Sequence, residues 1–143
     1  MTFLKTVSFI LYCLSMNTIY AQNLKSYQWK NRLLLVITDD INNEIYKNQI
    51  TELERHVNGL KERKLVVYHI KKDSYKIGLI ENGRWQESFS LYTTYNTKNA
   101  PFTISLIGLD GGTKLKQNKL LHCKELFSVI DVMPMRKSEI NND

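Results

Sequence analysis

The chain has 143 residues, 43% of them apolar and 24% charged, with 20 Lys and Arg against 14 Asp and Glu. This balance excludes a disordered chain, and two Pro with six Gly exclude a collagen-like or proline-rich one. Two Cys are too few for a disulfide scaffold or a four-Cys zinc site.

Lys5 followed by the uncharged, mostly apolar run Val7 to Met16 and then Ile19-Tyr20-Ala21 has the layout of a secretory signal peptide. The run is too short for a stable membrane span. The expectation is therefore export to the periplasm or beyond, with cleavage after Ala21. That leaves residues 22–143 as one domain with Cys123 as its only thiol.

Leu33-Leu34-Leu35-Val36-Ile37 is apolar without alternation, as in a strand buried on both faces. Tyr46, Ile50, Leu53, Val57 and Leu60 then recur at helical spacing. One continuous helix is expected there, capped by Asp40 or Asn42 and ended by Gly59. Leu65 to Ile70 is a second strand, completing a βαβ unit with parallel strands. Tyr75, Ile77 and Leu79 alternate before Asn82-Gly83, and Arg84 to Ser88 follow, which predicts a small hairpin insert. Ser90 to Ala100 reads as connection with one helical turn. Thr103 to Leu109 and Thr113 to Gln117 predict an antiparallel pair around Asp110-Gly111-Gly112. A last helix places Cys123, Leu126, Phe127, Ile130 and Met133 on one face and stops at Pro134. The tail beyond it is expected to fray. The order is β-α-β, an irregular insert, then β-β-α: an α/β fold of thioredoxin type, with a mixed central sheet and flanking helices.

Three segments carry a family resemblance. They are Trp29-Lys30-Asn31-Arg32-Leu33-Leu34-Leu35, Ile107-Gly108-Leu109-Asp110-Gly111-Gly112-Thr113-Lys114-Leu115, and Glu125-Leu126-Phe127 running into Asp131-Val132-Met133-Pro134-Met135-Arg136. Together they resemble the exported bacterial domain-of-unknown-function family 4174. Its domains are similar to those of sushi-repeat extracellular proteins, and the resemblance implies a thioredoxin-like fold closest to peroxiredoxins. Thioredoxin folds keep a cis proline before the third core strand; Pro101, followed by Phe102 before Thr103, stands about one residue from that place, and the sequence leaves its isomer open. His122 departs from the Ser-type helix cap expected at its position.

The chemistry expected of such a fold is a low-pKa Cys after the first core strand, at a helix N-terminus. That place reads Thr38-Asp39-Asp40-Ile41-Asn42. Thr38-x-x-Ile41 keeps the T-x-x-C spacing of a peroxiredoxin, with Ile41 where the peroxide-reducing Cys would stand. Isoleucine carries no nucleophile, and Asp39 and Asp40 disfavour a thiolate. Cys123, on an apolar stripe, reads either as a small buried hydrophobe or as a single exposed thiol near its helix start.

Asp39, Asp40, His69 and Pro101 form the candidate ligand edge, at the C-terminal side of the βαβ strands. The acidic turn reads as helix capping and lacks the spacing of a calcium loop. His56 and His122 have no partner at metal-ligand spacing, so no metal and no cofactor is expected. There is no Gly-rich phosphate loop, no G-x-S-x-G and no H-E-x-x-H. Tyr27, Trp29 and Trp85 read as packing residues. The dispersed basic excess suits an anionic envelope polymer or a protein partner, and no nucleic acid is expected for an exported chain. Two hypotheses follow: a non-catalytic binding or structural module, and a single-thiol redox or peroxide-responsive protein using Cys123.

Overall fold

A computed structural model describes residues 24–79 and 83–142. The proposed signal segment and Asn82 of the expected hairpin turn lie outside the described residues. A single mixed sheet of six strands organises the chain. Its elements are β1 (Arg32–Thr38), α1 (Glu44–Glu54), α2 (Val57–Glu62), β2 (Leu65–Lys71), β3 (Ser74–Ile77), β4 (Gln86–Glu87), α3 (Ser90–Tyr95), β5 (Phe102–Ile107), β6 (Thr113–Gln117), α4 (Cys123–Asp131) and α5 (Pro134–Asn142). The strand order is β4-β3-β2-β1-β5-β6. β1 and β2 run parallel, in register from Arg32 opposite Leu65 to Ile37 opposite Ile70, and every other neighbour pair is antiparallel. The β-α-β then β-β-α order expected from the sequence is the observed one.

Every residue of β1 is buried, which explains its unbroken apolar run. Leu34 and Val36 face one layer, where Tyr46 and Leu53 of α1, Leu60 of α2, and Cys123, Leu126 and Ile130 of α4 close over the sheet. Leu33, Leu35 and Ile37 face the other, against Tyr68, Ile70, Tyr75, and Leu91 and Tyr92 of α3. Strand pleat alone assigns alternate residues to these two cores.

Four local expectations are corrected. The predicted single helix is two, interrupted at Arg55 and His56, where His56 has φ −123° and ψ 26°. Gly59 does not end it. Gly59 lies inside α2, where a Cβ would stand 2.7 Å from the Phe127 ring, so the missing side chain is what lets α4 approach. The left-handed residue after α2 is Lys64, at φ 50°. The hairpin exists, but β4 has only two residues and β3 also pairs with β2. Finally, Pro134 both stops α4 and opens α5, so the tail through residue 142 is helical.

Charge explains why α5 holds. Arg32 on β1 is 1% exposed, and its guanidinium meets Glu139 of α5 at 3.2 Å and donates to the Arg63 carbonyl at 2.9 Å. Arg136 of α5, 4% exposed, pairs with Glu62, Glu139 and Asp131. Arg63 makes a two-pronged bond to Asp131, at 2.9 and 2.7 Å. A buried guanidinium requires such partners. Met-Pro-Met-Arg therefore marks a helix start followed by a buried ionic anchor. Trp29, expected to pack, is 63% exposed, whereas Tyr27 meets Tyr68 edge to face.

Candidate functional site

The turn between β1 and α1 is built from its own side chains. Thr38 Oγ1 donates to the Asp40 carbonyl at 2.7 Å and accepts from the Asp40 amide at 3.3 Å. Asp40 Oδ1 accepts from the Asn42 amide. The cap of α1 is Asn43, not Asp40 or Asn42: its Oδ1 accepts from Ile45 and Tyr46 amides at 2.9 and 3.2 Å. Asn is favoured there because its oxygen satisfies amides that have no partner within the helix. Asp39, Asp40 and Ile41 are exposed, Ile41 by 44%.

Pro101 joins this edge. Its carbonyl accepts from the Asp39 amide at 3.2 Å. Asn96 locks the approach, donating to the Ala100 carbonyl and accepting from the Ala100 amide. All described peptide bonds are trans, that of Pro101 included, which answers the isomer the sequence left open.

His69 belongs elsewhere. It is 1% exposed on the α1 side of β2. Its Nε2 lies 2.7 Å from the Gly78 carbonyl and its Nδ1 2.9 Å from the Tyr46 hydroxyl. A carbonyl only accepts, so Nε2 carries the proton and the neutral ring accepts from Tyr46 at Nδ1. Burial holds its pKa down at about 4, opposed by the Gly78 bond and helped by the charge of Lys76. The structure thus brings Asp39, Asp40 and Pro101 together and gives His69 to Tyr46.

Cys123 is fully buried at the start of α4. His122 occupies the cap position without a side-chain bond, and Glu52 of α1 takes over, its Oε1 accepting from the Cys123 amide at 2.9 Å. Burial first, and the Glu52 charge second, push the thiol pKa up to about 12. Nearby, Gln49 is fully buried and bonds both backbone groups of Leu121, at 2.9 and 2.7 Å.

Sequence reasoning missed a cluster here. Donor atoms of Glu52, His56 and Cys123 lie within 4.8 Å of one another. His122 Nδ1 is 3.8 Å from Glu52 Oε1. Sequence spacing separates α1 from α4, and only the docking of those helices makes the set. The one local signal is Glu52 and His56 at i, i+4.

A cleft of about 380 Å³ opens on the other face of the sheet, lined by Tyr27, Leu33, Leu91, Tyr95 and Ile107 among others. Among the described residues no helix is long and apolar enough to cross a membrane.

No curated protein matches the chain. The crystal structure of reduced Plasmodium vivax 2-Cys peroxiredoxin is similar, with a TM-score of 0.58 at 16% identity, over 80% of this chain and 84% of that one. At that identity the likeness establishes a peroxiredoxin-like, hence thioredoxin-like, fold. The model of a domain of unknown function, DUF4174, matches residues 23–139, and the chain belongs to that family.

Proposed function

We propose that residues 22–143 form an exported, non-catalytic binding module on a thioredoxin-like scaffold. The observation that carries the reading is the β1–α1 turn. Where this fold's thiol chemistry is expected, the exposed side chains are Asp39, Asp40 and Ile41. The fully buried Cys123 lies by the far end of α1, its amide bonded to Glu52. Export is supported by Lys5, the run Val7 to Met16 and Ala21.

The contact surface we assign is the edge holding Asp39, Asp40 and Pro101, flanked by exposed Ile41 and Ile45 at 44% and 39%. Acidic groups beside two exposed isoleucines suit a protein partner with basic and apolar groups. His69 takes no part, because both its nitrogens are engaged inside the fold.

Insulin reduction and peroxide turnover by the purified protein test the proposal. No turnover above buffer is expected. Turnover that survives Cys123→Ser overturns it in favour of a non-thiol mechanism. Turnover abolished by that substitution overturns it in favour of a single-thiol redox protein.

A further inference from the structure

We propose that Glu52, His56, His122 and Cys123 form a zinc-binding site where the C-terminal end of α1 meets the start of α4. The site lies at the other end of α1 from the Asp39–Asp40 turn and rests on nothing argued for that turn.

Three observations carry it. The first is spacing. Zinc bonds of about 2.0–2.1 Å to nitrogen or oxygen and about 2.3 Å to sulfur, at tetrahedral angles, set the donors of such a set about 3.3–3.6 Å apart, a few tenths of an ångström closer than they stand here. Glu52 Oε1 is 3.8 Å from Nδ1 of both His56 and His122. Donors of Glu52, His56 and Cys123 all fall within 4.8 Å of one another, and His122 joins them through Glu52. The second is charge. The Glu52 side chain is 17% exposed, and among the described residues its ion partners are these two imidazoles, with no Lys or Arg. A half-buried carboxylate facing two imidazoles lacks a fixed cation. The third is layering. Cys123 is fully buried, while His122, 66% exposed, and His56, 42% exposed, stand on the solvent side; His56 is held by its Nδ1 bond to the Glu52 carbonyl and an edge contact with Phe127, and His122 has no side-chain cap bond. An ion entering from solvent meets imidazole first and thiol last.

The donor chemistry selects the ion. One sulfur, two nitrogens and one carboxylate oxygen suit zinc, whereas calcium and magnesium want oxygen sets. On binding, the thiol releases its proton to solvent and a sulfur–zinc bond forms. His56 donates its Nδ1 proton to the Glu52 carbonyl at 2.8 Å, so on binding that proton is lost to solvent and the ring is reprotonated at Nε2, which frees the Nδ1 lone pair for the metal.

The test is zinc titration of the reduced, chelator-stripped full chain against a chromophoric competitor, with cobalt as the spectroscopic substitute. One zinc per chain is expected, and cobalt should give a near-ultraviolet sulfur-to-cobalt band that Cys123→Ser removes. His122→Ala touches no core packing and should weaken zinc binding by at least about tenfold, since loss of even an outer-shell partner costs that much. The exposed Glu87→Gln should leave affinity unchanged. Failure to take up zinc, uptake indifferent to His122→Ala, or cobalt binding without the sulfur band each overturns the proposal. None of these outcomes bears on the insulin and peroxide assays, so the two readings fail separately.

Discussion

The two ends of α1 are built on opposite plans. At its N-terminal end the side-chain bonds are mostly local: Thr38, Asp40 and Asn43 each bond backbone within three residues, Thr38 also reaches the Pro101 carbonyl at 3.3 Å, and Asp39, Asp40 and Ile41 face water. From its midpoint at Gln49 to its C-terminal end the side-chain bonds reach across the chain. Gln49 holds Leu121 and Glu52 holds Cys123, 72 and 71 positions away. A turn whose exposed side chains make only local bonds can change them at little cost to the fold, whereas an end whose buried side chains bridge to another element cannot. Replacement of a reactive side chain at the first end is therefore cheap, and the second end is where structure and new chemistry coincide.

Gln49→Ala should break this comparison hardest. It leaves the buried N–H and C=O of Leu121 without partners, at about 1–3 kcal/mol each. A loss of about 4 kcal/mol in urea unfolding is expected. A loss below 1 kcal/mol would show that the C-terminal end of α1 bridges nothing of consequence.

The next effect sharpens the contrast, because the N-terminal end has one buried attachment of its own, Tyr46 to His69. The folded pKa of His69, about 4, lies below its ordinary 6.5. Between these values the unfolded chain binds the extra proton, so stability falls as pH drops from 6.5 toward 4 and levels off below. The shift amounts to about 3 kcal/mol. Urea titrations at pH 7 and pH 4.5 should differ accordingly. His69→Gln should flatten the difference.

The smallest effect concerns the exposed turn. Ile41→Cys should change stability by no more than about 0.5 kcal/mol, as exposed substitutions do. Its thiol should be alkylated in the native state, while Cys123, at 0% exposure, should need denaturant. Equal native labelling of both thiols would erase the contrast.

What could be read in advance followed from patterns local to one element. The buried nature of β1 followed from its unbroken apolar run, and the parallel pairing to β2 from the order strand, helix, strand with short links. The helix break at His56 did not, since Val57 and Leu60 continue the helical spacing across it. Gly59 was misread because its meaning lies in Phe127, on another helix. α5 was missed because its polar surface gives no apolar stripe, and its anchors, Arg136 and Glu139, act on Arg32 and Glu62 far upstream. Of the candidate edge, Asp39, Asp40 and Pro101 share a place, and His69 went to Tyr46, because pleat and register decide which face a strand residue takes.

The bond between Arg32 and Glu139 spans 107 positions. During synthesis the strand at the centre of the sheet is made early, and the carboxylate that neutralises it is made more than a hundred residues later. A nascent chain thus carries an uncompensated positive charge in the very segment around which everything else assembles. Arg32 gains this partner only once α5 has been made.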